Sequence, residues 1–108
     1  MKDFYCEKIL SGLIPVKKVL ESEHILAFHH TQPQWDPHIV VIPKIHIESF
    51  THLMDENPQI LVEMMNVIKT VVSVITEKNT GCRLTTNFGS LQKTKHLHWH
   101  IYCSKSMV

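Results

Sequence analysis

The sequence has no large excess of positive or negative charge, no closely spaced cysteine pair and no apolar segment at its N-terminus. Its formal net charge is +1 over 108 residues, which indicates neither a nucleic-acid-binding stripe nor a polybasic membrane patch. Three cysteines without C-x-x-C spacing, and a start, MKDFYCEKIL, unlike a signal peptide, favour reduced thiols in a cytoplasmic protein. We also expect no membrane span, because no apolar run approaches the roughly 20 residues required.

Histidine, by contrast, is abundant, with nine in the chain. Residues 96–102 read HLHWHIY, in which histidines alternate with apolar residues. A β-strand points alternate residues to one face, so His96, His98 and His100 are predicted to form a row of imidazoles. A helix would spread the same rings around its cylinder. The opposite face of the strand would then be apolar, with Leu97, Trp99 and Ile101.

The order of predicted elements indicates an α+β fold. A short helix over residues 4–10 precedes three strand-like runs, PVKKVLES, HILAFHH and HIVVIPK. A long amphipathic helix is predicted over residues 58–78, and the strands CRLTTNF and HLHWHIY follow it, joined by the loop GSLQKTK. We therefore expect one domain over residues 1–108, with a five-stranded antiparallel sheet and one long core helix across one face.

Taken alone, the row of imidazoles fits three interpretations. The rings could be ordinary surface histidines on a half-exposed strand. They could form a metal site with His38, although a spacing of roughly 7 Å is long for three rings to converge on one ion. They could act in nucleophilic catalysis at phosphorus, since a neutral imidazole can form a covalent P–N bond and then leave readily. The pattern by itself leaves these interpretations open.

The motif HLHWHIY resembles the H-φ-H-φ-H-φ-φ signature of the histidine triad (HIT) family of nucleotide-binding hydrolases and transferases, where φ is hydrophobic. The similarity extends over nearly the whole chain. KILSGLIPVKKVLESEHILAFHHTQPQWDPHIVVIPKIHIES is similar to the family's N-terminal half, and TNFGSLQKTKHLHWHIY to its C-terminal site. The resemblance is to the Hint-like branch. It implies an α+β homodimer that hydrolyses purine nucleoside phosphoramidates.

The resemblance also implies roles for four histidines. His98 would be the nucleophile that takes the nucleotidyl group from the α-phosphate, and His100 would contact the phosphate. His96 and His38 would orient the nucleophile. Alternatives are a nucleotide-binding or interaction module with vestigial turnover, and a dinucleoside polyphosphate hydrolase.

Six further positions are expected to contact substrate. By resemblance, four of them contact the phosphate or leaving group, or line the nucleoside pocket: Asn87, Gln92, Phe28 and Ile9. Two others depart from the family pattern. His30 stands where an Asp usually binds the ribose hydroxyls, and Lys93 follows the matching Gln and would pair with phosphate.

No cofactor is expected to be required, because imidazoles and backbone donors can stabilise the phosphate charge. Mg²⁺ would enter only with a polyphosphate substrate. Some relatives hold structural zinc through paired cysteines near the N-terminus. Only Cys6 lies there, so the sequence predicts no such site.

The homodimer expectation also has support from the long helix. Ile60, Val67 and Val74 recur at seven-residue spacing. We expect them on a flank that the sheet leaves uncovered and that a second subunit would bury. Val67→Glu is therefore expected to give a monomer.

Overall fold

The computed structural model describes residues 3–55 and 58–103. Its sheet is antiparallel, and its five strands lie in the order β1-β2-β3-β5-β4. The strands are β1 (Lys18–Glu21), β2 (Ile25–His29), β3 (His38–Pro43), β4 (Arg83–Thr86) and β5 (Trp99–Tyr102). The helical elements are a π-helical turn (Tyr5–Ile9), α1 (Phe50–Leu53), the long α2 (Pro58–Asn79) and a 3₁₀ turn (Gly89–Leu91). The predicted fold class is confirmed.

β3 explains how the sheet separates two layers. All six of its residues are buried, and alternate residues enter different cores. Ile39 and Val41 pack on the side of α2, whereas Val40 and Ile42 pack on the side of the π-helical turn. This alternation is what a strand covered on both faces requires.

The last strand is shorter than predicted, since only Trp99–Tyr102 pairs with β3 and β4. The alternation nevertheless holds in the segment before it. Leu97 is buried in the core beneath α2, its N–H donating to the carbonyl oxygen of Ile47 (2.6 Å). The rings of His96 and His98 lie on the opposite side, 5.6 and 5.1 Å from the ring of Tyr5. The predicted division into an apolar face and a histidine face is confirmed.

The expected uncovered flank of α2 is wrong at two of its three positions. Ile60 and Val67 are 4% and 5% exposed and belong to the core shared with the sheet, whereas Val74 is 45% exposed. A helix drifts about 20° per seven residues relative to an exact heptad. Ile60 and Val67 both lie on the side of α2 that packs against the sheet. At the next repeat Ile75 takes the buried position and Val74 turns outward.

α2 also tests the expectation that no segment could cross a membrane. Its 22 residues are long and apolar enough by length and composition alone. Its apolar side nevertheless packs against the sheet, as in the core helix of a globular domain. Six residues are buried there: Ile60, Met64, Val67, Ile68, Val71 and Ile75.

Candidate active site

Among the described residues, the ring of His98 uses only Nδ1 in a hydrogen bond. Its Nδ1 lies 2.7 Å from the carbonyl oxygen of His96, and because a carbonyl can only accept, Nδ1 carries the proton. Nε2 then has a lone pair. Burial lowers the pKa of His98, although the bond to the His96 carbonyl opposes that shift. The neutral ring is therefore favoured at pH 7, with Nε2 available as a nucleophile.

His38 and His100 form a directed pair. The backbone N–H of Gln34 donates to Nδ1 of His38 (3.2 Å), so the proton of a neutral His38 ring is on Nε2. That Nε2–H donates to Nδ1 of His100 (2.9 Å), which leaves the proton of His100 on its Nε2. Burial and adjacent imidazoles lower the pKa of His38 to about 4 and that of His100 to about 3. His100 thus presents a neutral N–H donor beside His98, with ring centroids 5.1 Å apart.

His30 adds a fourth imidazole to this array. Its ring stacks on His38 at 4.4 Å and 29°, and lies 5.9 Å from His100. The backbone N–H of Gln32 donates to its Nδ1 (2.9 Å). Burial, and then the charge of His98, lower the pKa of His30. The neutral ring therefore carries its proton on Nε2, as a hydrogen-bond donor.

A cavity of about 770 Å³ lies over these rings. Six of the predicted site residues line it: His30, His38, His98, His100, Asn87 and Lys93. Tyr5, which sequence reasoning missed, also lines it and packs against His98. Tyr5 recurs with Ile9 on the apolar face of the N-terminal helix, so the sequence pattern indicated only a core residue.

The other four predicted site residues do not line this cavity. Phe28 is 1% exposed and lies 6.3 Å from the ring of Tyr5, which occupies the cavity wall in its place. Ile9 borders a separate hollow of about 480 Å³ near β1. Gln92 is buried, and its Nε2 donates to the carbonyl oxygen of Glu48 (2.6 Å).

His96, the fourth, is fully buried and connects the site to the N-terminal segment. Its Nε2 lies 2.9 Å from the carbonyl oxygen of Pro43 and therefore carries a proton. Its Nδ1 lies 3.1 Å from Oδ2 of Asp3 and 3.4 Å from Sγ of Cys6. Oδ2 of Asp3 is also 2.7 Å from Nδ1 of His46. Burial raises the pKa of Asp3, but the N–H of Cys6 and the ring of His96 outweigh it and bring the pKa to about 2.

This cluster has the donor set of a metal site. Asp3, Cys6, His46 and His96 each offer one ligand atom, and these atoms lie within 4.8 Å of one another. Carboxylate, thiolate and imidazole are all zinc ligands, and a ligating histidine typically donates its other N–H to a carbonyl, as His96 does. The expectation of no zinc site considered cysteine pairs only. Asp3 precedes the N-terminal turn and its Oδ1 accepts from the N–H of Cys6 (2.9 Å), which brings a carboxylate beside the thiol, so these residues fit zinc.

His30, His38 and His100 also place one nitrogen each within 4.8 Å of one another. Unlike the first group, it contains neither a carboxylate nor a thiol. The stacked arrangement of His30 on His38 also aligns ring faces rather than directing lone pairs to one point. This second group is therefore the poorer fit to a metal.

Comparisons with known proteins agree with this geometry. The HIT domain family model matches residues 11–107. A HIT-like protein of Helicobacter pylori is 38% identical over 97 residues, covering 88% of this chain and 90% of the relative. A HIT family hydrolase of Legionella pneumophila superposes with a TM-score of 0.81 at 30% identity, covering 99% of this chain and 96% of that one.

A histidine triad nucleotide-binding protein of Sulfolobus tokodaii superposes with a TM-score of 0.82 at 31% identity, covering 94% of this chain and 68% of that one. The fold, the histidine triad segment (residues 96–102) and these similarities agree over nearly the full length of the sequence. The chain belongs to the HIT family.

Proposed function

We propose that the protein is a nucleotide hydrolase that acts at the α-phosphate of purine nucleoside phosphoramidates or related nucleotides. The observation that carries the proposal is the free Nε2 of His98 beside the Nε2–H of His100, both in rings that line one cavity. The relative from Legionella pneumophila is named a hydrolase and that from Sulfolobus tokodaii a nucleotide-binding protein, which supports the substrate class. The cavity volume is in the range of small-molecule sites.

The reaction has two displacements. Nε2 of His98 attacks the α-phosphorus, the bond from phosphorus to the leaving group breaks, and a leaving amine takes up a proton from water. Water then attacks the nucleotidyl-His98, the P–N bond breaks, and the nucleoside monophosphate leaves with His98 neutral again. Each bond formed at phosphorus replaces one that breaks.

The surrounding groups stabilise charge at the phosphorus. The Nε2–H of His100 can donate to a non-bridging oxygen as negative charge develops there. His38 fixes the tautomer that makes this donor available, and it is itself fixed by the backbone N–H of Gln34. Because these rings are held neutral, the donor is present without prior protonation. Zinc in the Asp3 cluster, when bound, would hold His96 and thereby the carbonyl that orients His98.

The competing function is a nucleotide-binding module with vestigial turnover, which the replacement of a ribose-binding Asp by His30 favours. Mass spectrometry after acid-free quenching separates the two. Wild-type protein mixed with adenosine 5′-phosphoramidate should carry one nucleotidyl adduct, and His98→Asn should carry none. His52→Asn, on an exposed histidine of α1, is the matched control and should keep the adduct. An adduct that persists in His98→Asn would remove His98 from this role.

The dinucleoside polyphosphate reaction uses the same attack on phosphorus and differs only in the leaving group. Comparing phosphoramidate and diadenosine tetraphosphate turnover, with and without Mg²⁺, measures which leaving group the cavity prefers. Nucleotide binding by calorimetry without His98-dependent turnover of either substrate would favour the binding module.

A further inference from the structure

The wall of the active-site cavity is rich in hydrogen-bond donors. Among the described residues that line it, none is Asp or Glu. The lining instead contains Lys93, the amide side chains of Gln32, Gln34 and Asn87, and the hydroxyls of Thr31 and Thr94. The neutral diol of a ribose is bound well by a carboxylate that accepts hydrogen bonds from both hydroxyls. No described lining residue supplies a carboxylate. An anion is bound well by such donors.

His30 has a fixed orientation in this wall. Its Nδ1 is occupied by the N–H of Gln32, so Nε2–H is the group left for a ligand. Its ring stacks on His38 at an interplanar angle of 29° and lies 5.9 Å from His100, the ring that would contact the reacting phosphate. None of the hydrogen bonds found in the described residues uses His30 Nε2. The position therefore offers a donor beside the phosphate site, directed by the backbone of its own loop.

We propose that His30 is a specificity-determining residue, whose Nε2–H binds a second phosphate of the substrate nucleotide. The preferred substrate is then a nucleotide with two phosphoryl groups, one attacked by His98 and one held at His30, with Lys93 adding charge at the cavity. This proposal rests on the proposed function, since it takes the reacting phosphate to lie at His98 and His100. The second phosphate is either on the ribose or in a chain with the first, and both sources present the same anion.

Kinetics with paired substrates tests the proposal. One arm compares adenosine 5′-phosphoramidate with its 3′-phosphorylated counterpart, and the other compares it with diadenosine tetraphosphate, all in EDTA so that no metal bridges the imidazoles. A hydrogen bond to a charged group corresponds to about tenfold or more in affinity. In wild type, kcat/KM for the 3′-phosphorylated substrate should exceed that for its parent by about that factor if the second phosphate is on the ribose. Diadenosine tetraphosphate also differs in its leaving group, so its kcat/KM ratio is compared between wild type and His30→Phe.

Two variants and a control isolate His30. His30→Phe keeps a ring to stack on His38 but removes the N–H, so the kcat/KM ratio of the arm that carries the second phosphate should fall about tenfold from its wild-type value. His30→Asp supplies an acceptor carboxylate and should reverse the preference toward the substrate with a free ribose diol. His29→Phe is the matched control, since His29 is the neighbouring residue and does not line the cavity. It should keep the wild-type ratio.

The proposal is overturned if neither kcat/KM ratio falls in His30→Phe relative to wild type. Calorimetry in the His98→Asn background gives the same comparison without turnover, using AMP, ADP and adenosine 3′,5′-bisphosphate as ligands. Tighter binding of either ADP or adenosine 3′,5′-bisphosphate than of AMP, lost in the double variant with His30→Phe, supports His30 independently of catalysis. If turnover does not depend on His98, the proposed function fails. The affinity of the doubly phosphorylated ligands relative to AMP would still test the role of His30.

Discussion

The imidazole of His96 lies between the carbonyl oxygen of Pro43, 2.9 Å from Nε2, and the carboxylate of Asp3, 3.1 Å from Nδ1. The first contact requires a proton on Nε2. Nδ1 is left to face the carboxylate. Because the carbonyl of His96 in turn accepts from His98, Asp3 anchors the chain segment that orients the nucleophile.

Asp3→Asn is expected to destabilise the fold, since the charged contacts of Asp3 to His96 and His46 both weaken. The expected loss is about 1–3 kcal/mol at pH 7. The pKa of Asp3 is lowered from 3.8 to about 2, so its contribution is complete above about pH 4 and is lost as pH falls toward 2. Urea unfolding should therefore show a difference between wild type and variant that shrinks on acidification. Asp55→Asn, at an exposed position, should show no such difference at either pH.

Chelation is expected to leave phosphoramidate hydrolysis in place. The reacting group of His98 and the donor of His100 lie outside the cluster of Asp3, Cys6, His46 and His96. When zinc is removed, the carbonyl oxygen of Pro43 can still hold the ring of His96. Activity and Tm are measured before and after dialysis against EDTA, with zinc quantified in both samples. Loss of zinc with a lower Tm and unchanged kcat would assign the cluster a structural metal. Loss of activity that zinc restores would contradict the prediction.

The acid stability of the protein should depend on the pair formed by buried His38 and half-buried His100. The pKa of His38 is lowered from 6.5 to about 4 and that of His100 to about 3, chiefly by burial. Below about pH 6.5 the unfolded chain binds these protons and the folded chain does not, so the free energy of unfolding should fall as pH drops toward 4. Denaturant titrations between about pH 7.5 and 5 should give a shallower fall for His100→Asn than for wild type. Equal slopes would show that the pKa of His100 is not lowered by folding.

The triad residues could be predicted from the sequence because a strand's two-residue period fixes which side chains share a face. His98 and His100 lie where that rule places them, even though the paired strand begins only at Trp99. The metal-ligand cluster could not be predicted in the same way. Asp3 and His96 are 93 positions apart, and only the packing of the N-terminal turn against β3 and the triad segment brings them together.

Gln92 shows a second limit of prediction from the sequence, because a motif position does not specify the direction in which a side chain points. Its amide is directed to the carbonyl oxygen of Glu48, which closes the loop after β4 onto the segment before α1. Gln92→Ala should therefore cost about 1–3 kcal/mol of unfolding free energy through the lost buried hydrogen bond. Asn87→Ala, at the cavity wall, should instead lower kcat/KM with little loss of stability. Thermal unfolding and kinetics on both variants check the contrast. A reversed pattern would place Gln92 on the substrate.

Of the three α2 residues predicted to lie at a dimer interface, only Val74 is exposed, so only Val74 can test the proposed homodimer. Val67→Glu would place a charge in the core under the sheet and should unfold the protein, so it cannot report on association. Val74→Glu changes a side chain that is 45% exposed and should lower the light-scattering mass from dimer to monomer while the circular dichroism stays native.

Val62→Glu is the matched control. It is 59% exposed, and twelve residues along the helix place it about 120° around the axis from Val74, away from the proposed interface. Its mass should equal that of wild type. A wild-type chain that is monomeric at tens of micromolar, or a Val74→Glu variant with the wild-type dimer mass, would contradict the α2 interface, because an interface at Val74 must lose affinity when a charge is buried in it.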